Sequence, residues 1–400
     1  MRDDDGADAG GRGTGGSTSS LTGGGGEGGG ATGPCAALTI DPVVDLYPNE
    51  TVDIELGSLS AGQSNSVLGT VRPDGVYQEG ISAIGEWPPG RTGAALLEGG
   101  LFETLATTSI ANGDFAAIFG GSPSFGTAQT WGESPLTPGA LTTGTLAVLE
   151  DDPSAALFAT GNGQGELLFG LLLHGFNRQS LLVRAGGVGP DFWVDQAQPL
   201  GCTSGIPSAD AVSIPGGYAV VASSGGSVPN PCLIDGPAGA PGTLSLAFVD
   251  DNGTTERLRW DATASIRTVH VARAKTGRLF AAYGLEIPGS AIWSTSVSPE
   301  MDSSTEPTEI SSLAADSFAL TPLGDGVVLS WVTSTSTFEA RFIDTSGQVT
   351  ATLSEPLRSA QPAGRTLGVA APDASSALVA WTQLTGQRQS VLATRVRCVP

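Results

Sequence analysis

A short apolar run recurs down this chain, entered from a Gly/Asp turn and closed near an aromatic residue. It reads Asn112-Gly-Asp-Phe-Ala-Ala-Ile-Phe119, Thr276-Gly-Arg-Leu-Phe-Ala-Ala-Tyr283, Gly324-Asp-Gly-Val-Val-Leu-Ser-Trp331 and Ser375-Ser-Ala-Leu-Val-Ala-Trp381. Blunter copies are Ala155-Ala-Leu-Phe-Ala159 and Gly217-Tyr-Ala-Val-Val-Ala222. A strand-like segment precedes each copy, beginning at Thr104, Thr145, Ala211, Arg267, Ser317 and Thr366. Another follows, beginning at Phe125, Glu166, Thr243, Ser290, Phe338 and Ser390. Fourth strands are fainter, with Glu256–Trp260 and Gln348–Leu353 the clearest.

Successive units lie 41 to 62 residues apart, counted from Phe115 to Ala156 and from Ala156 to Tyr218. Three or four antiparallel strands at that period are the pattern of propeller blades. The middle runs are apolar on both faces, as a sheet sandwiched between two neighbours requires; a sheet wet on one side alternates. Six units follow Thr104, and residues 51–87 supply a more divergent seventh, with strands Val52–Leu56 and Ser66–Val71 and a turn at Pro73-Asp-Gly75. The expectation is an all-β, seven-bladed β-propeller over residues 34–400, with six blades as the alternative. A tandem of β-sandwich modules is the competing fold, but each would need about seven strands over ~100 residues.

Composition adds a leading segment. The first 33 residues hold 14 glycines and little apolar surface beyond Leu21. They cannot offset chain entropy by burial, so residues 1–33 are expected to be a disordered Gly-rich tether, about 30 Å end to end as a coil. The chain carries a net charge of −22, and every basic residue but Lys275 is an arginine, scattered along the sequence. That argues against nucleic acid, which demands a basic patch, and against anionic lipid. No 18-residue apolar stretch is present, so no membrane span is expected. Met1-Arg-Asp-Asp-Asp-Gly lacks the basic and apolar regions of an export signal. The tether nonetheless suggests an extracytoplasmic protein at the cell surface or secreted, a monomer, with its signal or lipid anchor upstream of Met1.

The four cysteines, Cys35, Cys202, Cys232 and Cys398, have no C-x-x-C spacing. An even count without that spacing suits disulfides better than zinc. Three pairings are open. A ring must close, and Cys35 opens the folded part while Cys398 ends it, so Cys35–Cys398 is expected. Cys202–Cys232 is the second expected pair, because both fall beside one blade on one face.

With strands named A to D from the inside out, A–B and C–D turns share one face, and B–C and D–A loops the other. The first is expected to gather Asp74, Asp114, Glu150-Asp-Asp152, Asp250, Asp325, Asp344 and Asp373. The second is expected to gather Gly120-Gly-Ser-Pro123, Gly161-Asn-Gly-Gln-Gly165, Ser334–Thr337 and the long insert Ser223–Gly242. Acid in tight turns follows from side-chain bonds to the local backbone. Asp250, Asp251 and Asn252 resemble a calcium loop but lack its full pattern. The cysteine-flanked region 203–242 is the candidate ligand surface, with Ser223, Ser224, Ser227, Asn230 and Asp235 as the groups facing a ligand.

Catalytic signatures are missing. The two histidines, His174 and His270, have no partner in sequence, so no metal or cofactor is expected. Neither Gly-x-Ser-x-Gly nor a P-loop occurs. Ser124–Trp131 ends like a sialidase Asp-box but lacks its Asp and its Gly spacing. The aromatics Phe119, Tyr283, Trp331 and Trp381 share one strand register, which points to packing between blades rather than a sugar-binding stripe.

In blade rhythm, tether and cysteines the chain resembles the uncharacterised, repeat-built surface lipoproteins and secreted β-propellers of high-GC bacteria, over residues 35–400. The resemblance carries no site motif. It implies a binding or scaffold module engaging a protein or glycan through the Gly/Ser/Thr face. The alternative is a polysaccharide hydrolase or lyase on the same scaffold.

Overall fold

The computed structural model describes residues 35–46 and, between Ile54 and Val399, the strands of seven sheets. Its side chains are described chiefly within 35–46, 208–223, 241–285, 291–311, 317–357 and 375–399, with a few between 158 and 184. Every element named is a β-strand.

Each sheet is an antiparallel blade. Blade 1 comprises Ile54–Ala61, Val67–Pro73, Gly80–Ala83 and Ala95–Glu98; blade 2, Glu103–Ser109, Phe115–Gly120, Thr127–Glu133 and Leu136–Thr143. Blade 3 runs Pro153–Gly161, Glu166–Leu173 and Gln179–Gly186, with its outer position shared by Trp193–Val194 and Gln198–Cys202. Blade 4 is Ala209–Ile214, Gly217–Ser224, Thr243–Asp250 and Gly253–Asp261; blade 5, Ile266–Arg273, Leu279–Leu285, Ile292–Val297 and Thr308–Ser311; blade 6, Phe318–Leu323, Gly326–Val332, Thr337–Ile343 and Val349–Pro356. Blade 7 takes Leu367–Asp373, Ser376–Thr385 and Arg388–Val399 from the end of the chain and Ala37–Ile40 from its beginning.

The first strand of each blade touches the first strand of the next, and that of blade 7 touches that of blade 1. The ring is therefore closed by seven A strands. Burial follows the same order. Strand B of blade 6 is buried almost throughout, whereas its outer strand Val349–Pro356 is mostly exposed. Apolar residues on both faces of the middle strand are thus satisfied by two neighbouring blades.

Closure depends on residues 36–46 lying along the last strand. Leu38 pairs with Cys398 and Ile40 with Val396, and Val44 pairs with Ala393. Asp41 and Arg397 form a two-pronged ion pair between the two registers, with Nε to Oδ1 and NH2 to Oδ2 both 3.0 Å. The Leu46 N–H donates to the Val391 carbonyl, and its side chain is fully buried. Cys35 and Cys398 are joined by a disulfide across a sequence separation of 363.

Blade 3 departs from the sequence expectation. Ala155–Ala159 is part of its innermost strand rather than its middle one, and Glu166–Leu173 is the second strand rather than the third. The third is Gln179–Gly186, which carries Leu181-Leu-Val183. The cause is physical: A and B strands are both buried on both faces, so an apolar run alone does not tell them apart. The expected strand Thr145–Leu149 lies outside the described residues.

Two glycines hold equivalent places in blades 4 and 6. A Cβ on Gly217 would run into the Val249 carbonyl and the Phe248 ring; one on Gly326 would run into the Ile343 carbonyl and the Phe342 ring. Each begins strand B where it crosses the Phe-Val or Phe-Ile end of strand C. The obstacle is backbone, which cannot rotate away as a side-chain tip can. Gly326→Ala is expected to destabilise by about 1–3 kcal/mol, read as a shift in the urea midpoint at unchanged slope; Gly324→Asn, at a positive-φ turn position (59°) that asparagine tolerates, should cost less.

Candidate functional site

The inner edge of strand A is where a closed ring faces its axis, and in blade 5 that edge is capped. The Val269 N–H donates to Ser208 Oγ at 3.0 Å, and the Val271 N–H to Asp210 Oδ2 at 3.0 Å. Both acceptors belong to blade 4, so one blade's side chains satisfy the open ladder of the next. Asp210 Oδ2 also lies 3.2 Å from His270 Nδ1, and the His270 ring meets Phe318 of blade 6 edge-on at 5.0 Å. Asp210 and His270 keep 25% and 28% of their side-chain surface, so this seam is the one ionisable pair of the described inner strands that is both partnered and wet. Asp210 sits between Ala209 and Ala211, and His270 between Val269 and Val271. These strands also carry Ser213, Arg267, Thr268 and Arg273, so nothing in the sequence singles the pair out.

The recurrent aromatics face backwards around the ring. Tyr283 joins the core between blades 4 and 5, Trp331 that between blades 5 and 6, and Trp381 that between blades 6 and 7. Trp331 is fully buried, and Trp381 stacks on Phe338 at 5.6 Å between centroids. These side chains are packing, as the shared register suggested; the Phe119 side chain lies outside the described residues. Burial pushes the Tyr283 phenol up to about 12 and raises Tyr218 as well. An unfolded tyrosine ionises near 10. Above pH 10 the unfolded chain therefore sheds protons that the folded chain keeps, so stability is whole below pH 10 and is lost as pH rises toward 12. Near-UV phenolate absorbance should show two of the four tyrosines ionising only with unfolding; titration of all four near pH 10 in folded protein would contradict this.

On the A–B and C–D face the acidic turns are closed by their own side chains. Asp250 Oδ1 accepts the Asn252 N–H at 2.8 Å, and Asp344 Oδ1 accepts those of Ser346 and Gln348 at 2.9 and 3.0 Å. The Asn252 N–H and then its side-chain amide hold the Asp250 carboxyl below its usual range. Asp251 is paired with Arg184 of blade 3 at 2.7 Å. The calcium candidates Asp250, Asp251 and Asn252 are thus engaged with each other and with an arginine.

The one-strand shift in blade 3 makes the connection between Pro153–Gly161 and Glu166–Leu173 an A–B turn where a B–C loop was expected. Asp74, Glu150-Asp-Asp152 and residues 163–165 of the expected loop Gly161–Gly165 lie outside the described residues. Asp325, Asp344 and Asp373 keep their places. Of the ligand-face candidates, Ser223 is buried, its hydroxyl accepting from the Ser208 N–H and donating to the Ser208 carbonyl, each at 3.1 Å. It joins the capped inner seam to strand B rather than facing outward. Ser224 ends strand B; Ser227, Asn230, Asp235 and Cys232 lie outside the described residues, as does His174. Cys202 ends the outer strand of blade 3. The B–C connection of blade 4 spans residues 225–242, against two to six residues between the same strands of the other blades.

No family model matches the chain, and no curated protein matches it in sequence. Solved structures do. A protein of unknown function from Dyadobacter fermentans superposes with a TM-score of 0.52 at 13% identity, over 91% of this chain and 100% of that one. An oligogalacturonate lyase in complex with manganese gives a TM-score of 0.56 at 12% identity, over 91% and 97%. The fold is a β-propeller. Raptor from Chaetomium thermophilum shares it, with a TM-score of 0.51 at 11% identity over 88% of this chain and 29% of that one. At such identities the propeller scaffold is what is held in common. Among the described residues no helix is long and apolar enough to cross a membrane.

Proposed function

We propose that the chain is an extracytoplasmic binding or scaffold module that engages a protein or glycan through the loops joining B to C and D to A. The observation that carries this reading is the length of one loop. Six blades join strands B and C by two to six residues, whereas blade 4 uses residues 225–242. Loops tolerate such insertions and place variable groups on a rigid frame. The packed aromatics, the self-closed acidic turns and the capped inner seam are all occupied with structure, which leaves this loop for recognition. The disulfide supports an oxidising compartment, and residues 1–33 suit a tether from a surface.

Replacing residues 226–240 by a short Gly/Ser linker tests the reading. The variant should keep its melting temperature and lose whatever glycan or protein the intact chain retains on an array. Equal retention by both would sink it.

A second reading, a polysaccharide hydrolase or lyase, has the Asp210–His270 pair in its favour. Asp210 would orient the imidazole for proton transfer. Turnover of any glycan by the intact chain, abolished in a folded His270→Gln variant, would promote it above the first.

A further inference from the structure

The outer strand of a blade is an open ladder edge, and such an edge invites pairing unless it is short, bulged, charged or covered. Among the blades whose outer side chains are described, three are blunted in this way. In blade 4 the strand Gly253–Asp261 carries Glu256, Arg257 and Arg259 and breaks register at Arg257. In blade 5 it is only four residues long, Thr308–Ser311. In blade 7 it is Ala37–Ile40, cut off by Asp41-Pro42. Blade 6 differs. Its outer strand Val349–Pro356 has eight residues, no charge from Val349 to Ser354, and an unbroken register from Ala351 to Pro356. Among the described residues no strand lies beyond it, and Thr352 and Ser354 are exposed.

The backbone groups of that edge point outward in a fixed order. The Leu357 N–H donates to the Ser336 carbonyl at 2.8 Å. Residues opposite each other in an antiparallel pair alternate between bonded and unbonded. Glu355, Leu353 and Ala351 therefore turn their backbone groups inward to Thr337–Ile343, whereas Thr352, Ser354 and Pro356 turn theirs outward. Pro356 has no N–H to leave unpaired, and an edge is the place in a sheet that tolerates proline. Side chains alternate as well. Ala351 and Leu353 face the core shared with blade 7, Leu353 being half-buried there. Thr352 stands opposite Arg341 and Ser354 opposite Glu339, on the other face.

We infer that two copies of the chain pair along this edge, antiparallel, about a two-fold axis at Leu353. Each Thr352 then exchanges both main-chain bonds with the partner's Ser354, and Leu353 meets the partner's Leu353 in the close, unbonded pair between them. The register is self-complementary, as a two-fold contact requires. Thr352 and Ser354 share one face of the sheet and Leu353 lies on the other, so each side chain meets its own kind. The Glu355 carboxylates fall on opposite sides of the axis. A second copy fits this edge better than a free peptide, because its strand is already ordered by blade 6 and loses less conformational freedom on pairing. The uncharged stretch also keeps the net charge of −22 away from the contact. Composition suggested a monomer; the unblunted edge makes a dimer through the rim, narrow and therefore of the weak, exchanging kind.

Analytical ultracentrifugation of the whole chain over a range of concentrations tests it. A reversible monomer–dimer equilibrium is expected, strengthened by added salt, which screens the repulsion between two chains of like charge. Thr352→Lys, at an exposed position, should keep the melting temperature and lose the dimer, since it sets a charge on the edge. Thr255→Lys, exposed on the outer strand of blade 4, should leave the dimer intact. Leu353→Cys should form a covalent dimer on mild oxidation, because side chains opposite each other in an unbonded pair lie at a spacing a disulfide can span. Ser354→Cys, displaced from its own copy along the strand, should not. A chain monomeric at every concentration, a dimer that persists in folded Thr352→Lys or weakens with salt, or equal cross-linking of the two cysteine variants overturns the inference.

Discussion

Deleting residues 35–46 is expected to abolish cooperative folding. The segment supplies the outer strand of blade 7 and one half of the disulfide that joins the two ends of the ring. Without it the strand Arg388–Val399 keeps its inner partner Ser376–Thr385 but loses its outer partners at Leu392, Ala393 and Val396 to Val399, and Leu38 and Leu46 leave the core. Each such side chain is worth about 1.5–3 kcal/mol. The disulfide closes a loop of 363 residues, for which chain entropy alone contributes about 5 kcal/mol. Together these match the whole net stability of an ordinary domain, about 5–15 kcal/mol. Circular dichroism of the truncated chain should show no sigmoidal thermal transition. Supplying residues 34–46 as a separate peptide should restore one, by strand addition to the open edge. Cys398→Ala, which removes the bond and keeps the strand, should leave a folded ring weakened by about 5 kcal/mol. A truncated chain that melts like the intact one would show that closure does not hold the ring.

Trp331→Ala is expected to cost about 3–5 kcal/mol, as for a fully buried large aromatic. The residue is 0% exposed and fills the core between blades 5 and 6 with Phe318, Leu329 and Phe280. Its loss reaches further than a cavity. The Arg341 guanidinium lies over the Trp331 ring at 5.3 Å, pairs with Glu339 at 2.8 Å and donates to the Ala340 and Leu353 carbonyls. Glu339 is 7% exposed and takes its second bond from Ser354. Removing the ring uncovers one member of a buried ion pair. Arg341→Met should therefore be comparably damaging, since it strands the Glu339 charge. The double variant should cost less than the sum of the two singles. Urea denaturation of the three chains measures this; additive losses would mean that the ring and the ion pair act separately.

How far the sequence told this in advance varies with the kind of interaction. The blade rhythm was legible because it is carried by local periodicity: Gly326–Val332 and Leu279–Leu285 announce themselves as strands buried on both faces. The Cys35–Cys398 bond was legible from topology, since a ring made from one chain must join its ends. The order of strands in blade 3 was not, because Ala155–Ala159 and Glu166–Leu173 are equally apolar and only their neighbours distinguish inside from middle. The Asp210–His270 seam joins residues 60 apart whose meeting depends on how one blade is set against the next.

The way the ends are joined also sets how the ring bears load. A pull on the residues before Cys35 enters at the disulfide and passes directly to Cys398 at the far end of the last strand. From there it runs along antiparallel strands whose hydrogen bonds lie across the direction of pull, so that they must shear together rather than unzip one at a time. The six blades between residues 54 and 356 lie outside that path. A propeller attached through its first residues would thus hang from one reinforced blade, with the loops of the other six left unstrained under flow or drag.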